Sequence, residues 1–100
     1  MNGADIRIAA VKAFASGFSG IIRIAPDGGV PFDIDGRTDV CTIVDAAVDG
    51  APDCVWSASA ETMTRIFEGG RALESAYLSG RLRIAGDMSV MARLILESSL

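Results

Sequence analysis

Ala76-Tyr77-Leu78-Ser79-Gly80-Arg81-Leu82-Arg83-Ile84-Ala85-Gly86-Asp87-Met88 is the stretch on which the fold of this chain turns. A short helical segment from Ala72 to Leu78 stops at Ser79-Gly80, because a glycine just past the last turn adopts the left-handed conformation that ends a helix. Arg81-Leu82-Arg83-Ile84 then alternates charged and apolar residues, the period-two pattern of a strand with one dry face. Gly86-Asp87 breaks the alternation and opens a last helix, expected to run to the C-terminus.

Upstream the same two periods recur. Ser59 is a good N-cap, Glu61 sits in the first turn, and Glu61 with Arg65 has the favourable acid-before-base spacing. Ala60, Met63, Ile66 and Phe67 share one side of that helix, and Gly69-Gly70 stops it. Ahead of it, Ile22-Arg23-Ile24, Phe32 to Asp35, Val40 to Val44 and Cys54 to Ala58 alternate and predict four more strands, five with the late one. Pro26-Asp27-Gly28-Gly29 reverses the chain between the first two, and further turn signals stand at Asp35-Gly36 and Asp49 to Asp53. Arg23 would then share the wet face with Asp33 and Asp35, and such cross-strand pairs contribute only about 0.2–1 kcal/mol each. An antiparallel sheet is the expectation. The opening segment, Ala4 to Ser16, is assigned as helix, with Ile6, Ala10, Ala13 and Phe14 on one face and Ile8 and Val11 off it, although Ile6-Arg7-Ile8 would also suit a strand.

The last helix carries more apolar surface than one neighbour can cover. At 100° per residue, Val90, Leu94, Met91, Ile95, Met88, Ala92, Leu96 and Leu100 sweep roughly 280°, against a stripe of about 100° or a little more for a helix on a single core. Only Ser89, Arg93 and Glu97 form a polar edge. An apolar ligand, a second copy or a partner helix is expected to shield the surplus, and Met88 and Met91 suit contacts of varied shape.

Composition limits the chemistry. One hundred residues, half of them apolar, make one domain spanning 1–100. There is no His, which removes Ser-His-Asp triads, Cys-His pairs and most catalytic zinc sites; Lys12 and Tyr77 are the sole Lys and Tyr. The thirteen acids include no pair in an apolar run that would raise a pKa, so no catalytic residues are assigned. A net charge of −4 argues against nucleic acid and against electrostatic docking on anionic lipid. No apolar run approaches the roughly 18 residues of a spanning helix, so stable membrane insertion is not expected. No secretory segment opens the chain, and Cys41 and Cys54 read as buried core thiols, which points to the cytoplasm.

Several local patterns fail as motifs. Asp33 to Asp39 resembles a calcium loop, yet Arg37 takes a ligand position, Gly36 comes too early and Val44 replaces the bidentate acid, so no metal is assigned. Gly17-Phe18-Ser19-Gly20 is one residue short of a nucleophile elbow. Neither glycine-rich phosphate motif occurs, and no cofactor is assigned. Trp56 and Tyr77 read as core or rim aromatics, and Arg81 and Arg83 as the wet face of the sheet. A thiol enzyme using Cys41 or Cys54 would require one reactive thiol at neutral pH.

Asp53-Cys54-Val55-Trp56-Ser57-Ala58-Ser59-Ala60-Glu61-Thr62-Met63, Phe67-Glu68-Gly69 and the stretch from Ala76 to Met88 together resemble the signature of sterol carrier protein 2 domains. The likeness is good from Asp53 to Leu100, looser but collinear before it, and rests on the ordered set Gly69, Gly80, Gly86 and Asp87. It implies an α/β (α+β) domain: a five-stranded, mainly antiparallel sheet with helices largely on one face, enclosing an apolar tunnel for fatty acyl chains, acyl-CoA, sterols or phospholipids. The C-terminal helix partly bounds such tunnels, in accord with the apolar surplus above. Ser79 stands where relatives often carry Gln, Ser98-Ser99-Leu100 lacks the basic residue of a peroxisomal address, and the N-terminus is weakly basic, with Arg7 and Lys12 alone. The expected function is non-enzymatic binding, with intracellular transport, of a fatty acid, fatty acyl-CoA, sterol or isoprenoid. Phe67, Tyr77, Leu78, Ile84, Met88, Met91 and Ile95 are the candidate lining. The alternative is an interaction module whose C-terminal helix packs on a second copy, as a homodimer, or on a partner enzyme.

Overall fold

A computed structural model describes residues 3–14, 16–46, 51–69 and 72–93. The described chain runs α1 (Gly3–Ala13), β1 (Ile21–Pro26), β2 (Phe32–Asp35), β3 (Thr42–Asp45), β4 (Cys54–Ala58), α2 (Ala60–Glu68), α3 (Ala72–Leu78), β5 (Arg83–Gly86) and α4 (Ser89–Arg93). The strands form one sheet in the order β3-β2-β1-β4-β5. Three neighbouring pairs are antiparallel, but β1 and β4 run parallel, which makes the sheet mixed rather than wholly antiparallel. The chain lays down β1, β2 and β3 outward to one edge and then crosses back, so β4 pairs with the free side of β1.

Alternation sorts the side chains as the sequence implied. Ile22, Ile24, Phe32, Ile34, Cys54, Trp56 and Ala58 are buried, as are Met63, Ile66 and Phe67 of α2 and Ile6, Ala10 and Ala13 of α1. Ile8 and Val11 stand exposed on the outer side of α1. Phe14 lies at the centre, its ring 5.6 to 6.1 Å from those of Phe67, Trp56 and Phe18. Arg7 stacks over Phe32 at 5.2 Å and pairs with Asp45 at 2.6 Å, which ties α1 to the β2–β3 side of the sheet.

α2 is built as expected. The Ser59 hydroxyl accepts from the Thr62 amide at 3.1 Å, Arg65 reaches Glu61 at 2.8 Å, and Gly69, at φ 105°, donates its amide to the Ile66 carbonyl. Other boundaries move for tertiary reasons. α1 ends at Ala13 instead of Ser16, because Ser16 bridges Val40 and the Gly17 amide bonds the Asp39 carbonyl. That bridge also delays β3 to Thr42, and Cys41 donates its thiol to the Ser16 carbonyl at 3.1 Å. β5 begins at Arg83 and not Arg81, because the Leu82 amide bonds back to Ala76 and Arg81 is held by the Ser75 and Ser79 hydroxyls. Of the expected last helix, residues 89–93 are described as α4; the rest lies outside the described residues.

Candidate functional site

The helix-covered face of the sheet is sealed at its centre and thins at the β5 edge. Ile22, Ile24, Ile34 and Trp56 are fully buried, whereas Ile84, directly across from Trp56 on β5, is only half-buried. Met91 of α4 is half-buried too and packs against the same core, beside the fully buried Val90. Phe67 belongs to that cluster from the α2 side. The structure therefore brings Phe67, Ile84 and Met91 into one apolar cluster. Met88 is 46% exposed, and Ile95 lies outside the described residues. Tyr77 and Leu78 occupy the outer side of α3, 48% and 74% exposed, so neither walls an enclosed space among the described residues.

Backbone geometry sets where α4 leaves the sheet. Gly86 has φ +108°, and its amide neighbour Asp87 donates to the Asp53 carbonyl at 2.7 Å. The Asp87 carboxylate accepts from the Ser89 amide at 2.9 Å and hydroxyl at 2.6 Å, satisfying donors at the start of α4. Asp53 in turn accepts from the Ile21 amide at 2.7 Å. Gly86-Asp87 is legible as a helix start; its partner Asp53 is not, because nothing local in the sequence links positions so far apart.

On the opposite face Arg23 grips Asp33 through two bonds, 2.8 and 3.1 Å, and Asp33 is only 5% exposed. The cross-strand partner was expected from the alternation, the burial was not. Asp35 turns instead to Arg37, whose guanidinium and backbone amide hold its carboxyl below the usual range. A cleft of about 290 Å³ between the 16–19 and 36–39 segments is lined by polar and glycine residues, among them Ser19, Arg37 and Asp39. A shallower one of about 430 Å³ lies against Glu74, Ser75, Leu78 and Ser79. Neither has the walls of an apolar tunnel.

The thiols are poor nucleophiles. Burial pushes the Cys54 thiol up, against an opposing effect of the Trp56 indole, and burial with the nearby Asp35 charge pushes Cys41 up. A raised pKa means little thiolate at neutral pH. Alkylation of the folded protein by iodoacetamide is expected to be slow at pH 7, to quicken for Cys41 as pH rises, and to reach Cys54 only on unfolding. Fast, selective modification of one thiol at pH 7 would restore thiol chemistry as a reading.

A model of the family described as the SCP-2 sterol transfer family matches residues 8–95. Similar solved structures include the SCP2 domain of a ubiquinone synthesis protein, with TM-score 0.60, 17% identity, and coverage of 86% of this chain and 70% of that one. Apo sterol carrier protein 2 of Yarrowia lipolytica gives 0.61 and 16%, covering 88% and 75%. A palmitated sterol carrier protein 2-like protein of Aedes aegypti gives 0.54 and 18%, covering 93% and 90%. At these identities the likeness is one of fold. No curated protein sequence matches the chain.

Proposed function

The chain belongs to the SCP-2 sterol transfer family, and from that premise we propose that it binds a lipid with an acyl, sterol or isoprenoid body between the β5 side of the sheet and α4. One observation carries this reading: the cover over the dry face thins at Ile84 and Met91, where the most apolar segment of the chain, Met88 to Leu100, joins the sheet. Phe67, Ile84 and Met91 form the inner wall, Met88 closes the outer side, and Tyr77 and Leu78 stand toward the entrance; Ile95, outside the described residues, is a candidate from the sequence alone. Each methylene removed from water contributes about 0.8 kcal/mol, so affinity follows chain length more than head group. None of these lining residues offers a charge or a group poised for proton transfer, which favours holding and carrying a lipid over transforming it. The two unpaired thiols suit a reducing compartment, and the cytoplasm is the proposed location.

Protein purified from cells and extracted with organic solvent is expected to yield close to one lipid per chain by mass spectrometry. Once stripped, it is expected to bind a fluorescent fatty acid that unlabelled oleate displaces. Met91→Glu should weaken that binding at least tenfold, about 1.4 kcal/mol, because a carboxylate would face the guest's methylenes. A clean extract combined with no binding of the probe would overturn the reading.

A further inference from the structure

Two aspartates among the described residues precede a glycine, in Asp27-Gly28 and Asp35-Gly36, each at the end of a strand. Before glycine an aspartyl carboxyl faces a backbone amide that no Cβ shields, so the amide nitrogen can reach the carboxyl carbon and close a five-membered imide. Closure needs a free amide, a carboxyl not held elsewhere, and room for the peptide to turn about the aspartate Cα–C bond. The fold denies all of these at one site and leaves all of them at the other.

Asp35-Gly36 is locked. The Asp35 carboxylate accepts bonds of 2.9 and 2.7 Å from the Arg37 guanidinium and one of 3.1 Å from the Arg37 amide, which hold its pKa below the usual carboxylate range. The Gly36 amide donates to the Gly20 carbonyl at 2.8 Å, and the Gly36 carbonyl accepts from the Phe18 and Ser19 amides. The Phe18 ring lies so close that a Cβ at Gly36 would stand 2.5 Å from it.

Asp27-Gly28 is open. The Asp27 amide is pinned to the Ala58 carbonyl at 2.8 Å, and the Gly29 amide closes the turn on the Pro26 carbonyl at 3.0 Å. Gly28 stands third in that turn at φ +72°, the position and conformation that call for glycine. Between the two anchors the Asp27–Gly28 peptide makes no backbone hydrogen bond among the described residues. A Cβ at Gly28 would meet nothing within 4 Å. The Asp27 side chain is 62% exposed, and its ion-pair approach among the described residues is the loose 3.9 Å one to Arg83.

We propose that Asp27-Gly28 is a site of spontaneous aspartate isomerisation in the folded protein, where the chain acquires an isoaspartyl linkage open to enzymatic methylation. The Gly28 nitrogen attacks the protonated Asp27 carboxyl carbon, a C–N bond forms, and the displaced hydroxyl leaves as water with the amide proton. Water then adds to either imide carbonyl. Opening at the side-chain carbonyl restores aspartate. Opening at the main-chain carbonyl breaks the original peptide C–N bond, so the chain runs through the side-chain carbon and a free α-carboxylate remains. One water leaves and one enters, and the mass is unchanged. A carboxyl methyltransferase using S-adenosylmethionine then esterifies that α-carboxylate, the sulfonium becoming a thioether. The added methylene lengthens the β1–β2 turn and disrupts the Gly29–Pro26 bond, but the Asp27 amide precedes the altered linkage and keeps its hold on Ala58 of β4. The fold therefore survives the change.

The full chain, held for weeks at physiological temperature near neutral pH and digested with trypsin, yields one peptide, residues 24–37, that contains both dipeptides. Asn2-Gly3 and Asp49-Gly50, which include residues outside the described ones, fall in other peptides. Electron-transfer fragmentation cleaves isoaspartate at its Cα–Cβ bond and so locates it. Isoaspartate is expected to accumulate at 27 at least about tenfold faster than at 35, because site 35 must first break its hydrogen bonds. In urea the two rates are expected to converge, since only the fold separates them. Asp27→Glu, which would need a six-membered ring, is expected to abolish the signal at 27. With labelled S-adenosylmethionine and an isoaspartyl methyltransferase, the aged folded parent is expected to take up more methyl than aged Asp27→Glu, by the amount of isoaspartate found at 27. Equal rates at 27 and 35 in the folded chain, or none at 27 while the unfolded chain reacts at both, overturns the site. Methyl uptake no greater than that of the variant overturns the methylation alone.

Discussion

Trp56→Ala is expected to destabilise the protein by about 3–5 kcal/mol, a large share of the roughly 5–15 kcal/mol that holds a domain folded. The side chain is fully buried on β4, an interior strand of the sheet, its register partners are Ile24 and Ile84, and its ring lies 5.7 Å from Phe14. Removing it opens a cavity that strands and helices packed from two sides cannot collapse to fill. Trp56→Phe is the informative companion. The buried indole N–H makes no full hydrogen bond, only a weaker approach to the Cys54 thiol, so part of what tryptophan contributes by packing is offset by an incompletely satisfied donor. A phenyl ring removes that penalty while losing some volume, and the net cost is expected to stay under about 1.5 kcal/mol. Urea unfolding curves of the three proteins check both figures. A Trp56→Phe cost near that of alanine would mean that the donor is satisfied.

Gly86→Val is expected to cost about 2–5 kcal/mol and to weaken lipid binding in step, whereas Gly80→Ala costs no more than about 1–2 kcal/mol and leaves binding alone. Both glycines hold positive φ, +108° and +82°, so both substitutions strain the backbone. They differ in surroundings. A Cβ at Gly80 meets open space, while one at Gly86 collides with the Asp53 carbonyl and stands 3.1 Å from the Cys54 Cα. Relief would require β5 to part from the start of β4, and Ile84 and the root of α4 would move with it. Thermal melts with fatty acid titrations distinguish the cases; equal costs at the two glycines would show that conformation alone, and not the approach to β4, matters at Gly86.

Much of the fold was legible because it rests on short-range rules. The Ser59 cap, the Glu61–Arg65 pair and the stop at Gly69 involve residues three or four apart on one helix. The Arg23–Asp33 pair follows from one turn and a period of two. The left-handed glycines at 80 and 86 follow from what ends a helix and what bends a strand. The candidate lining was legible only in part. Apolar character marked Phe67, Ile84 and Met91 and also Leu78, but which apolar residue turns inward depends on the element packed over it; α3 leaves Leu78 in water.

By itself, then, the sequence determined the order of elements, the faces of strands and helices, the turn chemistry and the absence of His-based catalysis, because each depends on residue type or on neighbours a few positions away. Only the tertiary structure decided that β4 runs parallel to β1, that Asp33 is buried beneath its arginine, and that Asp53 anchors the exit to α4. The parallel pairing and the Asp53 anchor arise where segments 30 or more positions apart meet, as Ile21 and Asp53 do at a separation of 32. Such meetings are chosen by the packing of the whole core, which no local pattern contains.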